Sequence, residues 1–472
     1  MTVNLRWARS ATALSAVVAC SLALVGCGGD EDSDAAKAVR AFADALSSQD
    51  TQAAAELTTS PSQAAESLGE TFAGMHAKTV DTDVVKTVTY SDGTASFTLK
   101  TTWHWSEDRT FESETAGSIR ELSSGWKVQW EPRLLYPGMP IGGRLQMVRA
   151  DASPAPTVRS TGNKVFMKME PVYEIVLDPA ATKNLERSVS QLAAAIKPIA
   201  PLITASVINE KLVADEGQPI IAVTLRSSDM KVLPSDPADV KGVTVRRTGQ
   251  LVMADRRLST PLSTGLTNYW QALRDATAGW QVEMLAPGAK TERLAGEPGK
   301  VGPDVLTTVN MDEQLTLGDT AVEVAQPATV MTFDARTGGV LAMAQNEAAR
   351  KRQITADIAY PTGSTLDPVF AAIDQHTPDD DGDKSANAQL NALGLGLTFT
   401  VPGVSVPKTE QKPKITAAAF KPQNFTATML GMGALGVSLA RSANGTDSSV
   451  APHVIKGAET KVAGGSLGSF DP

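Results

Sequence analysis

A short apolar leader closed by a cysteine sets the terms for the whole chain. Arg6 and Arg9 precede an apolar run from Ala11 to Val25, which ends in Leu24-Val25-Gly26-Cys27. About 15 residues are too few for a comfortable bilayer span, whereas a basic flank, a short apolar stretch and small residues before a cysteine have the form of a lipoprotein signal. Residues 1–26 are therefore expected to be cleaved away. A diacylglyceryl group on the Cys27 sulfur would then enter the cytoplasmic membrane, gaining about 0.8 kcal/mol for each buried methylene. The rest of the chain is expected to fold outside the cytoplasm, lipid-anchored to the cell membrane. Cys20 leaves with the leader, so the body has no disulfide framework and must be held by packed cores. Residues 27–34, rich in Gly, Asp and Glu, can bury nothing and read as a solvated tether.

At 472 residues, 42% of them hydrophobic, the chain exceeds what one core organises, and two or three folded units are expected. It carries 43 Lys plus Arg against 52 Asp plus Glu, a net charge of -9, with no dense basic stripe, which argues against a nucleic-acid partner. His76, His104, His376 and His453 lie far apart with no carboxylate or cysteine at ligand spacing, so neither a metal site nor a cofactor is expected. The acidic run Asp379-Asp380-Asp381-Gly382-Asp383 lacks the spacing and closing glutamate of a calcium loop and reads as a solvated turn.

From Ala35 the apolar positions Val39, Phe42, Ala43 and Leu46 recur at helical spacing. Ser47-Ser48-Gln49-Asp50 interrupts them before a second helix at Thr51 to Leu57, and Leu68, Phe72 and Met75 mark a third after Pro61. Alternation then takes over: Val84, Val88 and Tyr90, the Ser91-Asp92-Gly93 turn, and Phe97, Leu99, Thr101 and Trp103. A turn at Ser123-Ser124-Gly125 leads into Trp126, Val128 and Trp130. Helices followed by a curved antiparallel sheet make an α+β unit. Its inward stripe, with Trp103, Trp105, Trp126 and Trp130, either fills a core or lines a ligand cavity, and core filling is the simpler reading. The Pro/Gly cluster Tyr136 to Gly143 sets a boundary near 138. Beyond it, Val172–Leu177, Ile220–Leu225 and Val243–Arg247 read as strands and Leu185–Ile196 as an amphipathic helix.

Past residue 290 the sequence becomes specific. Leu294-Ala295-Gly296-Glu297-Pro298-Gly299 precedes Thr307-Thr308-Val309-Asn310, and Asp334-Ala335-Arg336-Thr337-Gly338-Gly339 sits between two apolar strand-like runs, as a hairpin requires. Then come Tyr360-Pro361-Thr362-Gly363-Ser364-Thr365-Leu366-Asp367, Ser385-Ala386-Asn387 and Val462-Ala463-Gly464-Gly465-Ser466. Together these resemble the class B penicillin-binding proteins, where Ser-x-x-Lys, Ser-x-Asn and Lys-Thr-Gly motifs build a peptidoglycan D,D-transpeptidase site. The resemblance places Ser364 at the nucleophile and Ser385 and Asn387 at the second motif. It also exposes departures. A serine hydroxyl needs a neighbour to take its proton, and one helical turn on, where the family holds lysine, stands Asp367, followed by Pro368. A carboxylate there removes the positive field that supports an alkoxide and a carboxylate-bearing substrate. At the third motif the cation has become Gly465, and with Pro472 last in the sequence the final strands and closing helix of the transpeptidase sheet are expected to be absent. Ser385 follows Ser364 so closely that the helical wall between the motifs looks deleted. The Ser-x-x-Lys matches at Ser124, Ser228 and Ser405 occur at chance frequency and out of context.

The resemblance implies an α+β multidomain fold. Residues 35–137 resemble the cone-shaped NTF2-like amino-terminal domain of penicillin-binding lipoproteins. Residues 138–300 would be a pedestal or dimerisation-type region, its usual Arg-Gly-x-Ile-x-Asp-Arg signature decayed to Val158-Arg159-Ser160-Thr161-Gly162-Asn163. Residues 301–472 would be a degenerate, truncated transpeptidase domain of β-lactamase-like fold. The expected function is a penicillin-binding-protein-like lipoprotein that serves peptidoglycan assembly by binding, a pseudoenzyme whose partners are peptidoglycan peptides or cell-wall synthesis proteins. Two alternatives stand beside it: an active serine D,D-transpeptidase with some other cation in place of the lysine, and a ligand-binding lipoprotein acting through its NTF2-like domain.

Overall fold

The computed structural model describes residues 33–376, 382–404, 425–446 and 448–468. The signal peptide and Cys27 lie outside the described residues, as do residues 379–381 of the acidic run and the Ser405 match. The chain divides into two compact units. One runs to Arg149 and takes in Trp280–Glu297; the other comprises Ala150–Gly279 and Pro298–Pro472.

The first unit opens with helices α1 (Asp34–Ser47), α2 (Thr51–Glu56) and α3 (Pro61–Met75). The Ser33 hydroxyl caps α1 by accepting the Ala36 N–H, and Val39, Phe42, Ala43 and Leu46 bury its inner face. Pro61 starts α3 at a position that needs no N–H, and His76 in the left-handed region ends it. Strands β1 (Thr79–Thr89), β2 (Thr94–Ser106), β3 (Arg109–Leu122) and β4 (Gly125–Val128) form an antiparallel meander in that order. The β1–β2 turn is built by Asp92, whose Oδ1 accepts from the Thr94 N–H at 3.1 Å and the Thr94 hydroxyl at 2.6 Å. Alternation in β2 turns Phe97, Leu99, Thr101 and Trp103 inward against α1 and α3. A second sheet joins β5 (Arg144–Ala150), β10 (Gly279–Leu285) and β11 (Glu292–Glu297), so a stretch read from sequence as part of 138–300 packs into the first core.

The second unit begins with a sheet around the long strand β7 (Val165–Leu177). This strand pairs with β6 (Val158–Arg159), β8 (Ile220–Arg226) and β9 (Val243–Met253), while β12 (Val305–Leu306) runs parallel to β6. The Arg159 guanidinium fastens that parallel edge, its Nε donating to Asp304 Oδ2 at 2.5 Å. Helices α4 (Leu185–Ile196) and α5 (Ala205–Ala214) cover one face through Val189, Leu192, Ile208 and Leu212, and a single turn, α6 (Ser227–Met230), follows β8.

Around α7 (Leu262–Thr277) lies a separate core. It takes in the hairpin β13 (Thr329–Phe333) and β14 (Val340–Gln345), the pair β16 (Thr398–Thr400) and β18 (Lys461–Ala463), and helix α12 (Met429–Ala443). Helix α8 (Met311–Glu323) lies along β14, and α9 (Glu347–Lys351) follows it. The two-stranded pair β15 (Ala359–Pro361) and β17 (Thr426–Thr428) leads into α10 (Asp367–His376) and α11 (Gly382–Ala392). Among the described residues no helix is long and apolar enough to cross a membrane.

Candidate functional site

The Ser364 motif is presented by a turn between β15 and α10. Tyr360 pairs with Ala427, and the Thr362 N–H and hydroxyl both donate to Phe425 O, at 3.0 and 3.2 Å. Gly363 follows with φ +55, a conformation that glycine adopts without strain. The chain then tightens: the Thr365 N–H donates to Thr362 O and the Asp367 N–H to Ser364 O, each at 3.2 Å. Helix α10 starts at Asp367, so Ser364 stands just ahead of the helix. Pro368 occupies the first turn, where its missing N–H leaves nothing unsatisfied. Leu366 and Phe370 turn into a small core with Ala386 and Leu390 of α11 and Leu435 of α12, and the Phe370 and Phe425 rings meet edge-on at 5.3 Å. The motif is thereby held rigidly while its two chemical residues, Ser364 and Asp367, face solvent.

Neither side chain forms a hydrogen bond or ion pair among the described residues. Asp367 has a structural explanation: a carboxylate in the first turn sits at the positive end of the helix dipole, where lysine is disfavoured. Ser385 and Asn387 both fall on α11, which packs directly against α10; the side chain of Ser385 lies outside the described residues, and Asn387 is half-buried. Gly465 follows β18. A β-carbon there would come within 2.9 Å of Asn391 Cγ and 3.0 Å of Leu397 Cδ2. Asn391 lies one turn beyond Asn387 on α11, so the three motif segments converge on that helix. At Gly465 the backbone approaches it too closely for a lysine to be accommodated without displacing Asn391.

Beside the motif is a cavity of about 570 Å³ lined by Met331, Phe333, Tyr360, Thr365, Met429 and Met432, among others, with no charged side chain in its wall. It offers an apolar or neutral group a place and a carboxylate none. The hairpin over it is built by Asp334. Its Oδ1 accepts from the Arg336 N–H at 2.9 Å and the Thr337 N–H at 3.2 Å, which holds the carboxyl below the usual carboxylate range. Gly338 at φ +74 completes the turn, and the Arg441 guanidinium of α12 donates to Arg336 O. The Asp-x-x-Thr-Gly pattern is therefore a turn device.

Asp357, between the Thr355 hydroxyl and β15, is pushed in the opposite direction. Burial raises its carboxyl above the ordinary range, against smaller opposing pulls from Thr355 and its own N–H. A raised folded-state value stabilises the fold below the ordinary carboxyl range, and that contribution is lost as pH rises through the raised folded value. Asp357→Asn is expected to raise Tm at pH 7 by about 2–4 °C, with the difference closing towards pH 3, read by thermal melts across that range.

The four tryptophans of the inward stripe divide. Trp103 is 2% exposed and Trp130 9%, whereas Trp105 and Trp126 are half-buried, Trp105 lying 5.5 Å from Trp280 and donating from Nε1 to Met75 O. Among the described residues no three His, Cys, Asp or Glu side chains gather as metal ligands.

The architecture of the first unit, three helices against a curved four-stranded meander, is α+β. Residues 34–142 match the family described as the NTF2-like N-terminal transpeptidase domain. The chain thus carries the NTF2-like domain expected for 35–137, of the kind associated with transpeptidases of penicillin-binding type. No curated protein matches the chain.

Proposed function

We propose that the chain is a class B penicillin-binding-protein-like lipoprotein that serves peptidoglycan assembly by binding and does not transfer acyl groups. In this reading Cys27 carries the lipid that holds the protein at the outer face of the cytoplasmic membrane. The part of 138–300 outside the first core forms a pedestal, 301–472 a degenerate transpeptidase domain, and peptidoglycan peptides or cell-wall synthesis proteins are its partners. One observation carries the non-catalytic assignment: the Ser364 hydroxyl stands exposed with no base or cation paired to it among the described residues, Asp367 heads its helix, and the adjoining cavity wall is uncharged. The NTF2-like domain at 34–142 supports the cell-wall setting.

Fluorescent penicillin incubated with the purified chain tests this. No covalent label is expected, and Ser364→Ala should look the same. Stable labelling abolished by Ser364→Ala would establish an active serine enzyme and sink the assignment. Replacing Cys27 by serine is expected to move the protein from the membrane fraction to the soluble fraction.

A second reading, ligand capture by the NTF2-like domain, is favoured by one feature of its interior. The Thr71 and Thr115 hydroxyls, the Ser113 hydroxyl and the Trp103 Nε1–H are all buried without a partner, and Thr101 and Ser113 are cross-strand neighbours. Unpartnered buried polar groups gathered between α3 and the sheet face it covers are what an internal water cluster or a small polar ligand would satisfy.

A further inference from the structure

A second concavity of about 650 Å³, in the second unit, lies among the start of α7, helix α8, strand β14 and the segment following α9. Its floor is built rather than left over. Gln314, 1% exposed, donates from Nε2 to Ser259 O at 3.0 Å and Met343 O at 2.9 Å, and its Oε1 accepts the Met343 N–H at 3.0 Å. The buried Thr260 hydroxyl donates to the same Met343 O at 2.7 Å. A floor so fully bonded does not collapse when the cavity is empty.

The charges around it are unequally committed. Arg257 is bound by Asp255, Nη2 to Oδ2 at 2.7 Å, which holds that carboxyl down at about 2, and it also faces the charge of Asp319, the one carboxylate among the residues lining the cavity. Arg350 is exposed and forms no ion pair among the described residues; Glu347 on its own helix bonds Lys351 at 3.0 Å and is drawn to Arg350 only as a weaker, more distant charge. One further lining residue has an unmet need: Gln345 Oε1 is shut off from solvent without a partner. A buried amide oxygen lacking a donor keeps an unrecovered desolvation penalty, which a ligand N–H would relieve.

We propose that this cavity is a binding site, separate from the Ser364 motif, for a small molecule bearing a carboxylate close to an amide N–H, namely an N-acylated amino acid or the carboxyl end of a short peptide. Arg350 takes the carboxylate in a two-pronged guanidinium contact. Rotation of the Gln345 side chain presents its oxygen to the N–H, Thr355 adds a hydroxyl, and Leu262, Leu315 and Ile354 offer an apolar wall to the ligand side chain. The site stands whether or not Ser364 is acylated.

Calorimetric titration of the full chain with N-acetylalanine and with N-acetylalaninamide tests it. Saturable binding of the acid is expected, with the amide about 10-fold weaker or more, and Arg350→Gln, at a solvent-facing position that leaves the fold intact, should weaken the acid about 10-fold while hardly changing the amide. Ser364→Ala should bind as the wild type does. Absence of saturable binding, equal affinity for acid and amide, or an unchanged affinity in Arg350→Gln would overturn the proposal. Loss of binding in Ser364→Ala would do so too, by placing the ligand at the serine motif.

Discussion

Replacing Gly265 by alanine is expected to lower the stability of the chain by about 3 kcal/mol or more, a fall in Tm of about 6–12 °C. The added β-carbon would lie 2.5 Å from Gly403 C and 2.6 Å from Val404 C, both backbone atoms that no rotamer change can move. Gly265 belongs to the buried face of α7 with Leu262, Leu266 and Trp270, and that face shares its core with Val401 and Ile455. Relief would require α7 to back away from residues 401–404, opening voids around Leu266 and straining the bond from Trp270 Nε1 to Pro156 O, now 2.7 Å. Gly403 reciprocates: at φ +87, a β-carbon on it would lie within about 3 Å of Ile455 and Leu266, so the two glycines define one close crossing. Gly436 in α12 is the control. Nothing lies within 4 Å of its hypothetical β-carbon, so Gly436→Ala should stabilise by about 0.5–1 kcal/mol, as helix propensity dictates. Urea unfolding followed by circular dichroism reads both; a Gly265→Ala midpoint equal to wild type would show that the crossing is loose.

Periodicity carried far where one face is wet and the other dry. Helices α1 to α3, strand β2 and helix α4 follow directly from apolar residues at spacings of three, four or two. It failed where both faces of an element carry mixed residues. Strand β3 from Arg109 to Leu122 buries only Phe111, Ser113, Thr115 and Ile119, two of them polar, so its alternation is hidden from a hydrophobicity pattern. Helix α7 hides its buried face behind Gly265 and a wet face of Thr264, Asn268 and Asp275. The return of Trp280–Glu297 to the first unit is a long-range pairing that no local pattern encodes. At the candidate site, the sequence pointed to Ser364, Asp367, Ser385, Asn387 and Gly465 only through the resemblance of their segments to the motifs of class B penicillin-binding proteins. It did not reveal that Gly465 is pressed against Asn391, a contact more than 70 positions apart in the chain. The polar cavity was equally invisible, because Gln314, Gln345, Arg350 and Thr355 come from three separate segments and form no motif.

Gln314 supplies the second large effect. Its amide is the only group type that fits its surroundings: two backbone carbonyls, of Ser259 and Met343, face its nitrogen, and one backbone N–H, of Met343, faces its oxygen. Gln314→Glu changes one atom and turns a donor into an acceptor aimed at two carbonyl oxygens. An ionised carboxylate there is buried, unpaired and repelled, an arrangement that costs about 3–5 kcal/mol. The protonated acid can donate to one of the carbonyls and keep the Met343 N–H, so it fits nearly as well as the amide. The variant's carboxyl is therefore raised in the folded state. The folded chain binds the extra proton more tightly than the unfolded chain, so near wild-type stability is expected below the ordinary glutamate range and is lost as pH rises through the raised folded value. Urea midpoints should nearly coincide with wild type at about pH 4 and fall well below it at about pH 8. Gln314→Leu, which leaves the Met343 N–H and Ser259 O unbonded, should be weaker than wild type by about 2–4 kcal/mol at both values, without that slope. A pH-independent loss in Gln314→Glu would mean that water reaches the residue, and the floor of the polar cavity would then be soft, removing the preorganisation on which binding there depends.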